Sequence, residues 1–128
     1  MSCYFSKITD VSFEEVLTKV ADELKKEGFG ILTEIDVRET LKKKLDVNFQ
    51  KYKILGACNP PFAYEALQVE NKIGMLLPCN VIVQELPDGN VEVAAIDPVQ
   101  SMHVVGNPTL KVIAEQVQAK LRNVISNI

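Results

Sequence analysis

Val81-Ile82-Val83-Gln84-Glu85-Leu86-Pro87-Asp88-Gly89-Asn90-Val91-Glu92-Val93-Ala94-Ala95-Ile96 decides how this chain folds. Pro87 and Gly89 stand where a type I turn followed by a left-handed residue needs them, so the segment reads as a β-hairpin. Upstream, Met75 to Val83 is almost wholly apolar. That suggests a strand buried on both faces, with Pro78 marking an edge position or an irregularity. Downstream, Asp97-Pro98 ends the second strand and Gly106-Asn107-Pro108 leads into a helix reaching Ser126. Leu110, Ile113, Val117, Leu121, Val124 and Ile128 form one apolar stripe along it, which marks the helix as core.

Toward the N-terminus, Ser12-Phe13-Glu14-Glu15 is a capping-box pattern. Phe13, Val16, Leu17, Val20 and Leu24 follow at helical spacing until Gly28, which predicts a long helix from Phe13 to about Glu27. Tyr4, Phe5 and Ile8 before it and Phe29 to Ile35 after it read as strands. Asp36 and Glu39 cap a short helix with Val37, Leu41 and Leu45 on its buried side. Tyr52 to Cys58 is a further strand, in which Gly56 lets another backbone or a ligand come near. Residues before proline are pushed toward extended geometry, so a second short helix is expected from Pro61 to about Glu70, with Cys58 just outside its N-terminus. The whole is an α+β two-layer domain, residues 1–128, with one mainly antiparallel sheet packed by two long helices and two shorter ones.

A chain of 128 residues, 47% of them apolar, suits one domain. The net charge of −3 provides no cationic field, so a nucleic-acid partner is not expected; Lys42, Lys43, Lys44, Lys51 and Lys53 read as a solvated face. No run has the apolar length of a signal peptide or a membrane span, and Cys3, Cys58 and Cys79 are an odd number. The expectation is a soluble, cytoplasmic protein with reduced thiols and no membrane partner.

Two Cys-Asn steps, Cys58-Asn59 and Cys79-Asn80, stand where apolar runs meet proline-marked chain. Cys58 beside a helix N-terminus is a candidate reactive thiol, although Pro60 and Pro61 lack amide protons and leave chiefly Phe62 and Ala63 to cradle an anion. The alternative for both cysteines is a small buried thiol. Glu34 and Asp97 near strand ends are candidates for an acid and base pair; Asp97 reads equally as a turn residue and Glu34 as a partner of Lys42 or Lys44. Asn59 and Asn80 read equally as loop ties. A metal site on Cys58, Cys79 and His103 or Asp97 is disfavoured by the spacing, and no cofactor is expected.

Gly28-Phe29-Gly30-Ile31-Leu32-Thr33-Glu34-Ile35-Asp36-Val37, Ile54-Leu55-Gly56-Ala57-Cys58-Asn59-Pro60, Leu76-Leu77-Pro78-Cys79-Asn80-Val81 and Asp97-Pro98, in that order, resemble the bacterial and archaeal family called domain of unknown function 302. The resemblance implies a fold grouped with TATA-box-binding-protein-like domains and a homodimer, and it implies no activity. Its signature positions map to Glu34, Cys58, Asn59, Pro60, Cys79, Asn80 and Asp97, while His103 departs from the pattern. The resulting expectation is a small ligand, an anion among the options, in a cleft rimmed by these residues under the last helix. A thiol-dependent enzyme or redox protein using Cys58 is one alternative. A structural or interaction module acting through a dimer face is the other.

Overall fold

The computed structural model describes residues 2–128. Five strands, β1 (Tyr4–Thr9), β2 (Gly30–Asp36), β3 (Tyr52–Cys58), β4 (Cys79–Glu85) and β5 (Val91–Ile96), form a sheet in the order β1-β5-β4-β3-β2, every neighbour antiparallel. The helices are α1 (Phe13–Lys26), α2 (Val37–Leu45), α3 (Pro60–Val69), α4 (Pro98–Met102) and α5 (Pro108–Ser126), with 3-10 turns at Ile73–Leu76 and His103–Val105. The predicted α+β domain is therefore found, with α4 as an additional short helix. Between β4 and β5 the Gly89 amide donates to the Leu86 carbonyl, and Gly89 adopts φ +88° as the predicted turn requires.

Alternation along the strands separates two faces. Leu55, Ala57, Cys79, Val81, Val83, Val91, Val93 and Ala95 point into the core, where they meet Val16, Val20 and Leu24 of α1 and Val117, Leu121 and Val124 of α5. The strand from Met75 expected to be buried on both faces begins only at Cys79, and it buries one face: Cys79, Val81 and Val83 are buried, while Asn80 is exposed and Ile82 half-buried. Its apolar composition reflects an outer face carrying a row of Ala94, Ile82, Ile54 and Ile35 across the register. Helix α2 also departs from expectation: its Asp36 cap forms, yet none of its residues is buried and Leu45 is 66% exposed. Nine residues are too few to reach over the sheet as the long helices do.

Helix α5 serves two cores. Its C-terminal half packs on the sheet and α1; Leu110 and Ala114 of its N-terminal half join Ala66, Ile73 and Met102 in a smaller cluster beyond the end of the sheet. Helix α1 stops in a Schellman motif, with Phe29 donating to the Leu24 carbonyl at 2.9 Å, Gly28 to Lys25 at 3.1 Å, and Gly28 at φ +86°. This stop brings Phe29 to the seam between the two clusters.

Candidate functional site

At that seam lies a cavity of about 330 Å³. Ala57 and Cys79 of the sheet, Ala66 of α3, Met102 of α4 and Ala114 and Val117 of α5 wall its inner part, all of them buried. The void exists because alanines meet there: Ala63 and Ala66 on one face of α3 oppose Ala114 on α5 and Ala57 on β3, and such short side chains do not fill the space between helices and sheet. The mouth carries Leu32, Leu67 and Gly74, all exposed. Leu32 reaches it through a β-bulge, since the register passes from Ile31 opposite Ala57 to Thr33 opposite Gly56 and leaves Leu32 extra. Of these alanines and leucines the sequence points only to Ala63, and for its amide rather than its methyl; the one signal for the cavity is the helical spacing of Ala63 and Ala66.

Both thiols line this cavity. Cys79 pairs in register with Ala57, the residue before Cys58, so the two cysteines are neighbours across adjoining strands. Cys58 is half-buried, whereas Cys79 is 7% exposed, and burial, with a smaller contribution from Cys58, pushes the Cys79 thiol up to about 11. Cys79 is thus a neutral thiol at physiological pH and a poor nucleophile.

Asn59 also lines the cavity, but its side chain is committed. It is 8% exposed and its Nδ2 donates to the Glu27 carbonyl at 3.1 Å, tying the end of α1 to the start of α3. It is the residue preceding α3, which starts at Pro60 rather than Pro61. Within the first turn, Pro60 and Pro61 have no amide proton and the Ala63 amide already donates to Asn59 O at 3.0 Å, which leaves the Phe62 amide. The α3 N-terminus offers little to an anion.

The remaining candidates lie outside the lining. Pro60 is exposed at the first position of α3. Asn80, opposite Gly56 in register, projects from the other face of the sheet, because successive strand residues alternate. The second Cys-Asn step is therefore divided between the two faces. Glu34 is exposed and accepts from Lys53 Nζ at 2.7 Å, a hydrogen bond that holds the Lys53 pKa above its ordinary value; the expected partners Lys42 and Lys44 do not reach it. Lys42 pairs with Asp46 instead. Asp97 is 5% exposed and caps α4, accepting from the Val99 amide at 3.0 Å and, through both carboxylate oxygens, from Gln118 Nε2 at 3.0 and 3.1 Å. Glu34 and Asp97 do not converge.

Among the described residues no buried side-chain nitrogen or oxygen lacks a hydrogen-bond partner, and no group of three or more His, Cys, Asp or Glu side chains is placed to hold a metal ion. Among the described residues no helix is long and apolar enough to cross a membrane. The arrangement suits burial of an apolar molecule against two thiols.

The fold is similar to that in the crystal structure of an uncharacterized conserved protein DUF302 from Bacillus stearothermophilus, with a TM-score of 0.92 and 26% sequence identity over 99% of this chain and 98% of that one. No curated protein matches the sequence. The family model described as "Domain of unknown function DUF302" matches residues 5–128, and the chain belongs to that family.

Proposed function

We propose that this domain binds a small, largely apolar ligand in the cavity between α3, α5 and the ends of β3 and β4. The observation that carries the reading is the cavity itself: about 330 Å³, open at one side, and almost wholly apolar, with Cys58, Cys79 and Met102 among its lining residues. Pockets of this size and character commonly hold small molecules, and apolar surface removed from water supplies the driving force at about 25 cal/mol per Å². A catalytic thiol is supported less well, because Cys79 is held neutral and the turn beside Cys58 is poor in donors.

The test is calorimetric titration with 1-octanol, which is small enough for the cavity's volume. One-to-one binding is expected, and Ala63→Phe, which fills the space, abolishes it while circular dichroism stays native. Alkylation of Cys58 by N-ethylmaleimide is an independent block. Absence of saturable octanol binding to the unmodified protein, or binding indifferent to both blocks, would remove the reading.

A second reading, self-association, is favoured by one observation: the outer sheet face carries Ile35, Ile54, Ile82 and Ala94 in a row, with Ile35 47% exposed. Sedimentation equilibrium measures it directly. A dimer mass lowered to that of a monomer by Ile35→Lys is expected, and a monomeric mass for the unaltered chain discards the idea.

A further inference from the structure

A second cavity, of about 330 Å³, lies beside the apolar one. Met102 and Ala114 line both, so the two spaces adjoin across these side chains. Their chemistry differs. The second is bounded by the 3-10 turn at His103–Val105 and the first turn of α5, and it presents His103, Asn107 and Lys111. No acidic residue lines it, and among the described residues Lys111 enters no ion pair. The Asn107 Oδ1 is occupied as the cap of α5, accepting from Thr109 at 3.0 Å and Leu110 at 3.4 Å. Lys111, His103 and the Asn107 Nδ2 therefore carry the polarity left for a ligand, in a chain whose net charge is −3.

From this juxtaposition we infer that the ligand is a single-chain anionic amphiphile, such as a medium-chain carboxylate. Its tail occupies the apolar cavity and its head lies against Lys111 and His103. The inference rests on the cavity reading above and adds the head group to it. At about 30 Å³ for each water-sized unit, the apolar cavity has room for roughly ten non-hydrogen atoms, enough for the eight carbons of an octanoyl chain. A carboxylate in the second cavity would meet the Lys111 ammonium and the His103 ring, whereas the first cavity offers no cation. The pairing also explains a division of labour along α5: Ala114 and Val117 shape the tail site, and Lys111, one turn earlier, lies at the head.

The experiment compares octanoate with 1-octanol on the intact chain and on the double variant Lys111→Gln with His103→Gln. Both positions are exposed, so the fold is retained. The exposed Lys111 charge contributes up to about fivefold in affinity, so the expected result is a roughly fivefold loss for octanoate and none for octanol. Raising the salt from about 0.02 to 0.3 M weakens octanoate alone in the unaltered protein, through screening. Octanol binding with an octanoate affinity indifferent to the variant and to salt overturns the head-group assignment and leaves the cavity reading intact. Binding of neither ligand overturns both. Co-sedimentation with phosphatidylglycerol vesicles that the variant abolishes, without binding of monomeric octanoate, overturns the free amphiphile in favour of a lipid surface.

Discussion

Replacing Asp97 by alanine is expected to destabilise the domain by about 3 kcal/mol. Two contributions add. Asp97 caps α4 through the Val99 amide at 3.0 Å, and loss of an N-cap costs about 1 kcal/mol. Its carboxylate, 5% exposed, also accepts from Gln118 Nε2 at 3.0 and 3.1 Å, and hydrogen bonds to a charged group contribute about 1.5–3 kcal/mol in a site so little screened. Because Gln118 is on α5, the bond fastens the long helix to the end of β5, and its loss leaves the Gln118 amide half-buried and unpaired. Urea unfolding followed by circular dichroism gives the magnitude, and for 128 residues the corresponding fall in Tm is about 10 °C. A double-mutant cycle with Gln118→Ala isolates the side-chain pair at about 1.5 kcal/mol of coupling. Octanol affinity, read on the folded variant, is unchanged, since Asp97 is outside the cavity lining. A loss of stability under about 0.5 kcal/mol, the range of neutral surface substitutions, or zero coupling with Gln118, would refute the reasoning that Asp97 acts as a structural anchor.

Gly56→Ala should destabilise by about 1–3 kcal/mol in the same assay, because the added Cβ would overlap Thr33 Oγ1 and lie 2.7 Å from Pro78 Cγ; Gly30→Ala, with nothing within 4 Å, is the near-neutral control. Asn59→Ala is expected to cost about 1–3 kcal/mol by leaving the Glu27 carbonyl unpaired, without weakening octanol binding; a stable variant with impaired binding would reverse that assignment. With its pKa pushed up to about 11, some two units above the ordinary value, Cys79 should react with iodoacetamide at neutral pH at least a hundredfold more slowly than an exposed thiol. Peptide mass spectrometry resolves the three sites, and equal rates at Cys3 and Cys79 would contradict it. The same shift has a stability consequence of known sign: the neutral thiol is favoured by folding, so its contribution is complete below pH 9 and is lost as the pH rises toward about 11, which alkaline unfolding curves of Cys79→Ala against the unaltered chain measure.

Local chemistry was enough to place most elements from the sequence. The Ser12 and Asp36 caps, the Gly28 stop, the Pro87 to Gly89 turn and the stripe of α5 depend on residues within a few positions of one another, and each occurs as expected except that Ile128 lies past the end of the helix and is half-buried. The same local logic identified Cys58, Asn59 and Cys79, which do meet at one cavity. Tertiary structure decided the rest. Whether Met75 to Val83 is buried on one face or two depends on what lies across the sheet, and the outer row of Ile35, Ile54 and Ile82 is apolar without a helix's sequence announcing its absence. Glu34 chose Lys53 from the adjoining strand over the lysines nearer in sequence, because strand pairing brings residues 19 apart into contact. Asp97 found Gln118, 21 residues away, only once α5 had folded back over the sheet. The cavity itself is a space left by Ala57, Ala63, Ala66 and Ala114 from three elements, and a void has no residue of its own to be read. Hydrophobic order and turns along the chain are properties of neighbours in sequence, whereas shape is a property of neighbours in space.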